Sequence, residues 1–205
     1  MQILNDFNTS VRRALEEIDQ NYESYEGLVI CGTHSPHNVE DMIREIKNAR
    51  ENGLPTLGIC FGMQLMAIEY ARNVIGIKDA TSEEFGEGTL VVKKLPKLRV
   101  GMVNLDKLKA VSTASKHKEY IYKTTFGNQS HWHNYYVDAD LITKNKTHDK
   151  HLNLSCFLEG GIWIPEYLDV LQTGPYEGVQ FHPEYQSSKD NPHPLLVKFI
   201  ELCKK

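Results

Sequence analysis

Cys60 stands between two glycines at the end of an apolar run, in the stretch Leu57-Gly58-Ile59-Cys60-Phe61-Gly62-Met63-Gln64. Gly58-Ile59-Cys60-Phe61-Gly62 fits the G-x-nucleophile-x-G pattern of a strand-to-helix elbow, in which small neighbours allow a sharp turn. Such a turn sets the sulfur at the start of the next helix. There the helix dipole favours thiolate, and backbone N–H groups can hold a developing oxyanion. The five residues alone are equally compatible with a buried structural thiol. A second group decides between them. His182-Pro183-Glu184 supplies an imidazole base and, two positions on, a carboxylate to fix its tautomer, with a proline stiffening the turn. Cys60, His182 and Glu184 together read as a Cys-His-Glu triad for nucleophilic catalysis. His131 and His133 share one face of an expected strand, but a metal needs three or four ligands and no third is apparent, so no metal is expected.

The flanking elements fit an elbow. Asn8 to Asp19 has helical spacing, with Val11, Ala14, Leu15 and Ile18 on one stripe. Gly27 to Gly32 and Pro55 to Ile59 read as buried parallel strands. Between them a helix over Val39 to Asn52 is expected, capped by Asn38, with Glu40 and Asp41 at the positive end of its dipole and closed by Gly53. Phe61 to Val74 is apolar on most sides and reads as a central helix. Strand, helix, strand, helix implies a parallel sheet with right-handed crossovers. From Thr89 to about Tyr136 the pattern weakens into short alternating runs, such as Leu90-Val91-Val92 and Tyr120-Ile121-Tyr122, read as antiparallel strands and loops. Leu152 to Phe157 and Leu168 to Gln172 read as further strands. Gly178 to Phe181 leads into His182, and Pro194 opens a last helix to about Leu202.

Length and composition suit one α/β domain over residues 1–205, with 40% hydrophobic and 24% charged residues. A net charge of −4 argues against nucleic acid as a partner. The basic segment Lys93-Lys94-Leu95-Pro96-Lys97-Leu98-Arg99 reads as a solvated turn or strand edge. No run approaches the roughly 18 apolar residues of a membrane span. The N-terminal stretch Met1 to Arg13 lacks the apolar centre of a signal peptide, so a cytoplasmic location with no membrane partner is expected. Cys31, Cys60, Cys156 and Cys203 lie far apart without a CxxC pair and should be free thiols.

Two longer blocks, Gly53 to Phe85 and Gly178 to Glu201, resemble the class I glutamine amidotransferases, and most closely the glutaminase domain of CTP synthases. They cover about a quarter of the chain. Ala71-Arg72-Asn73-Val74 and Asp79-Ala80-Thr81-Ser82-Glu83-Glu84-Phe85 point to CTP synthases in particular. The resemblance implies a flavodoxin-like fold: a mostly parallel central sheet, helices on both faces and a small antiparallel part. It also implies that Cys60 attacks the side-chain amide carbon of glutamine, giving a γ-glutamyl thioester and ammonia, with no cofactor. His182 would shuttle protons and Glu184 would orient it. Gln64 and Glu84 match positions that hold the substrate, and the Phe61 N–H would be one oxyanion donor. Read without the resemblance, Gln64 would be a solvent-facing helix residue and Glu84 a surface carboxylate.

Three stretches depart from the family pattern. CTP synthases usually read Pro-Gly-Gly-Phe-Gly where this chain has Cys31-Gly32-Thr33-His34-Ser35-Pro36. Gly32 or Thr33 can still offer a main-chain N–H there, although Thr33 in place of glycine restricts the peptide, and His34 and His37 bring new polar groups to the mouth of the site. An Arg-His-Arg-Tyr segment that helps to hold glutamine has its best counterpart in Trp132-His133-Asn134-Tyr135. His133 and Tyr135 fit, while Asn134 replaces a cation whose loss would cost on the order of a few kcal/mol. The chain also lacks a G-x-x-x-x-G-K-[ST] loop for nucleotide phosphates, and the stretch before Gly27 leaves no room for the family's usual second strand. The synthetase half is therefore expected to be a separate subunit that receives the ammonia. The leading reading is a hydrolase of glutamine or a related γ-glutamyl amide. The alternatives are a catalytically weak ligand-binding or regulatory subunit of the same fold, and a hydrolase of a different amide.

Overall fold

Short apolar stretches bounded by turns assemble into the central sheet, and the amphipathic segments between them cover it. The computed structural model describes residues 1–7, 9–106, 108–112, 126–145, 151–171 and 174–204. Among these the strands are β1 (Gln2–Leu4), β2 (Leu28–Ile30), β3 (Thr56–Ile59), β4 (Ala80–Ser82), β5 (Thr89–Asn104), β6 (Lys109–Ser112), β7 (Asn128–Val137), β8 (His151–Glu159), β9 (Ile162–Leu171) and β10 (Tyr176–Val179). The helices are α1 (Ser10–Ile18), α2 (Val39–Glu51), α3 (Phe61–Tyr70), α4 (Ala139–Lys144) and α5 (Pro194–Cys203).

The central sheet has the order β1-β2-β3-β10-β9-β8-β6 among the described residues. The first four run parallel, and β9, β8 and β6 continue the sheet antiparallel. A second sheet, β4-β5-β7, lies beside it. This is the expected α/β architecture. Side-chain alternation in the strands divides the core: Leu28 and Ile30 join the α2 and α3 side, while Val29, Leu57 and Ile59 join α1 and α5. That period of two is what a strand covered on both faces requires. Every residue of α3 is buried, because the helix is enclosed by the central sheet, α2 and the second sheet.

Several boundaries differ from expectation. Gln2–Leu4, too short to show a period, forms the strand β1 against β2. Between α1 and β2 there is a 3₁₀ turn, Tyr22–Ser24, and no strand, as the short spacing implied. Asn38 precedes α2 in a left-handed conformation and its side chain makes no capping bond, since that backbone geometry is not the extended one from which a capping side chain reaches the first turn. After Tyr70 the helix loosens into a π turn, Ala71–Ile75. Lys93 to Arg99 belongs to the long strand β5, whose pairing with β7 shifts register between Lys94 and Arg99. Lys94 and Lys97 are exposed as anticipated. Arg99 is not: it is buried and paired with Glu159 at 2.8 Å and with Glu166. The expected strand at Tyr120 to Tyr122 lies outside the described residues. All four cysteines are buried free thiols.

Candidate active site

The elbow forms because β3 stops at Ile59 and α3 starts at Phe61, which leaves Cys60 to make the turn alone. Its φ of 53° and ψ of −104° are strained for a non-glycine residue, by an amount of order 1–3 kcal/mol. A 2.7 Å bond from the Cys60 N–H to the Val179 carbonyl ties the turn to β10. The glycines are required by close approach. A Cβ at Gly62 would lie 2.1 Å from the Ile30 carbonyl oxygen, and one at Gly58 would lie 2.4 Å from the Met66 sulfur. The Phe61 N–H, at the first helical position, has no acceptor within the helix, and Phe61 lines the cavity beside Cys60.

His182 follows β10, and its N–H donates to the Ser130 carbonyl at 2.8 Å. Its Nδ1 is 2.7 Å from Glu184 Oε1, and its ring stacks on Tyr185 with centroids 4.7 Å apart. Nε2 is buried and has no hydrogen-bond partner among the described residues. Cys60 and His182 converge on Gly32: a Cβ there would meet Cys60 Cβ at 3.2 Å and His182 Cε1 at 2.8 Å. Burial works against a charged His182, but the Cys60 sulfur and then the Glu184 carboxylate more than offset it, and its pKa is raised to about 11. A thiol, an imidazole and a carboxylate in this arrangement are the groups that nucleophilic catalysis requires.

The residues singled out for substrate gather on the other side of the sulfur. Thr33, Phe61, Gln64, Glu84, His133 and Asn134 line a cavity of about 200 Å³ that Cys60 also lines. Gly32 lines an adjoining cavity. Gln64 is buried and not solvent-facing; its amide nitrogen is 3.0 Å from the Tyr135 carbonyl and 3.2 Å from Gln180 Oε1. Glu84 is half-buried, and desolvation raises its pKa above 4.5. His133 Nδ1 is 2.8 Å from the Tyr135 carbonyl, and burial lowers its pKa to about 3, so the ring is neutral. The Thr33 hydroxyl accepts from the Ser35 N–H at 3.0 Å. No lysine or arginine lines this cavity among the described residues. The cation lost at Asn134 therefore has no replacement there.

The sequence reading missed Gln180. Fully buried at the end of β10, its amide nitrogen lies 3.6 Å from the Cys60 sulfur while its oxygen receives the Gln64 amide. The available signal was a polar residue between the apolar Val179 and Phe181, just past the end of β10. Both ring nitrogens of His131 are engaged, at 2.9 Å from the Gln129 carbonyl and 2.9 Å from Glu166 Oε2.

Comparison with known proteins bears on this arrangement. Residues 4–202 match the family model described as glutamine amidotransferase class-I. The CTP synthase of Methanoculleus marisnigri is 35% identical over 187 residues, covering 88% of this chain and 34% of the relative. The CTP synthase of Pelagibacter ubique is 33% identical over 214 residues, covering 95% of this chain and 38% of the relative. The chain thus spans about a third of the length of these curated relatives. Among solved structures, the Trypanosoma brucei CTP synthase glutaminase domain with bound acivicin superposes with a TM-score of 0.70 at 22% identity, covering 98% of this chain and 89% of that one, a likeness of fold.

Proposed function

Because the chain belongs to the class I glutamine amidotransferase family, we propose that it hydrolyses the γ-amide of glutamine or of a related γ-glutamyl compound through a thioester on Cys60. The observation that carries this reading is the grouping of Cys60 with Gln64, Glu84, His133 and Asn134 in one small polar cavity, while His182 and Glu184 are hydrogen-bonded beside it at 2.7 Å.

In this mechanism the Cys60 thiolate adds to the γ-carbonyl carbon. The oxyanion is met by the Phe61 N–H and a main-chain N–H at Gly32 or Thr33. His182, held as imidazolium by Cys60 and Glu184, gives its proton to the leaving nitrogen. The C–N bond breaks and the amine departs. Neutral His182 then takes a proton from water, which attacks the thioester and releases the γ-carboxylate. Gln180 directs an N–H at the sulfur and steadies the thiolate. Glu84 pairs with the substrate ammonium, and Gln64 and Asn134 offer neutral polar contacts. When glutamine is the substrate, the ammonia goes to a synthetase subunit, as the CTP synthase relatives suggest.

The test is glutamate release from glutamine by the wild type and by Cys60→Ala, together with mass spectrometry after incubation with acivicin, the ligand of the trypanosomal domain. Release and a Cys60 adduct in the wild type alone support the reading; equal release by both proteins removes Cys60 from the mechanism. The cation-free cavity favours one second reading, a ligand-binding subunit with weak catalysis. It is the better account if glutamine binds without turnover and Cys60 reacts no faster than an ordinary thiol.

A further inference from the structure

A second and larger cavity, of about 460 Å³, meets the first at Cys60. Thr33, His34 and Trp132 line both, and the His34 and Trp132 rings lie 5.2 Å apart at this junction. His182 lines the larger cavity and not the smaller. The proton donor to the departing nitrogen therefore works from the larger side, and that side receives the leaving group.

Ammonia is about the size of water, whose share of liquid volume is roughly 30 Å³. The chamber is many times larger than glutamine hydrolysis requires. Its walls also have a definite chemistry. Phe7, Trp132 and Tyr185, which are 69%, 49% and 43% exposed, present aromatic surface to it. No aspartate, glutamate, lysine or arginine is among its described lining residues. A polyamine leaving group would find no carboxylate there, whereas an aromatic one would find rings to pack against.

We propose that the preferred substrate is an N-substituted γ-glutamyl amide whose amine carries an aromatic group, seated against Phe7, Trp132 and Tyr185. This rests on the thioester reading given above. The γ-glutamyl part occupies the smaller cavity and its amide carbon faces Cys60. The C–S bond forms and the C–N bond breaks. The proton of His182 goes to the nitrogen, which leaves as the neutral aromatic amine through the larger chamber. Water then attacks the thioester as one of its protons passes to His182; the C–S bond breaks, the second proton goes to solvent, and glutamate leaves with the sulfur free to react again.

The experiment compares glutamate release from γ-glutamyl-benzylamide, γ-glutamyl-methylamide and glutamine, with wild type and with Phe7→Ala, an exposed residue of the larger cavity alone. The wild type should turn over the benzylamide with kcat/KM about tenfold or more above the methylamide, the scale of added apolar contacts with the three aromatic side chains. Phe7→Ala should narrow that ratio severalfold and leave glutamine turnover unchanged. Turnover of glutamine with no benzyl preference, or a preference that Phe7→Ala leaves intact, overturns the proposal and spares the thioester reading. No glutamate from any of the three overturns both.

Discussion

Glu84 and His182 have shifted proton affinities for opposite physical reasons, and each shift has a consequence that can be measured. Glu84 meets no counter-charge in its cavity among the described residues, and burial raises its pKa. Its carboxylate is lost on acidification sooner than an ordinary glutamate's. In the proposed role, kcat/KM should fall on the acid side with an apparent pKa above 4.5, and Glu84→Gln should raise KM roughly 10- to 100-fold with little change in kcat, the loss of one charge-assisted contact. Steady-state kinetics between pH 4 and 8 check this. His182 is buried too, but the neighbouring Cys60 and Glu184 hold it protonated to about pH 11. A folded pKa above the ordinary 6.5 adds stability that is complete below about pH 6.5 and lost as pH rises through the folded value. Removing one anion must lower that value. Glu184→Gln should move the NMR titration of the His182 ring, and the alkaline limb of activity, to lower pH, with kcat reduced about 10²–10⁴-fold as orientation is lost.

At the level of elements, the contact between α3 and β2 fixes the place of Cys60. A methyl group at Gly62 has the Ile30 carbonyl oxygen 2.1 Å away, so Gly62→Ala must push the start of α3 off β2 and carry Phe61 with it. We expect a loss of about 1–3 kcal/mol in urea unfolding from overpacking. Because an ångström of misplacement can cost on the order of 10²-fold, kcat should fall by about that factor. On its other side α3 is pinned to α2. Arg50 grips Glu69 through bonds of 2.8 and 2.7 Å, both side chains buried, and Tyr176 adds its hydroxyl at 3.3 Å. Glu69→Ala should cost about 3–5 kcal/mol by leaving a buried guanidinium with Glu51 at 3.7 Å as its remaining counter-charge, whereas the double variant Arg50→Met, Glu69→Leu should recover most of that loss. Urea midpoints of the single and double variants decide it.

At the level of the whole molecule, the site depends on two sheets keeping their relation. Cys60 and His182 follow strands of the central sheet, while His133 and Asn134 lie on β7 of the second. A buried network spans the two: Glu166 on β9 pairs with Arg99 on β5 and, at 2.9 Å, with His131 on β7. Burial disfavours the Glu166 charge, but His131 and Arg99 outweigh it and hold the carboxyl below its ordinary range. Its contribution is thus present above pH 4.5 and lost as pH falls through the lower folded value. Glu166→Gln should destabilise the protein by several kcal/mol and also raise KM for the proposed substrate, since it loosens the strand that carries His133. Glu69→Ala, whose partners Arg50 and Tyr176 lie on α2 and β10, should destabilise the protein with a smaller rise in KM than Glu166→Gln. Paired unfolding and kinetic measurements separate the two effects.

The residues alone determined the parallel strands around the elbow, the helices α1, α2, α3 and α5, and the positions of Cys60, His182 and Glu184. These are legible because period, turn glycines and the elbow pattern are local, and because the resemblance rests on continuous blocks. The course of β5, the burial of Arg99, the pairing of Gln2–Leu4 and the approach of Gln180 to the sulfur were decided only by tertiary structure. Each depends on a partner distant in sequence: a carboxylate from β9 makes a buried arginine tolerable, and β2 stabilises three residues that show no period of their own. Gln180 acquires its contact because β10 lies beside β3, so that two segments 120 residues apart meet at one sulfur. The spacing of residues along the chain specified the elbow at Cys60, while the packing of two sheets specified the size and lining of the cavities that meet at its sulfur.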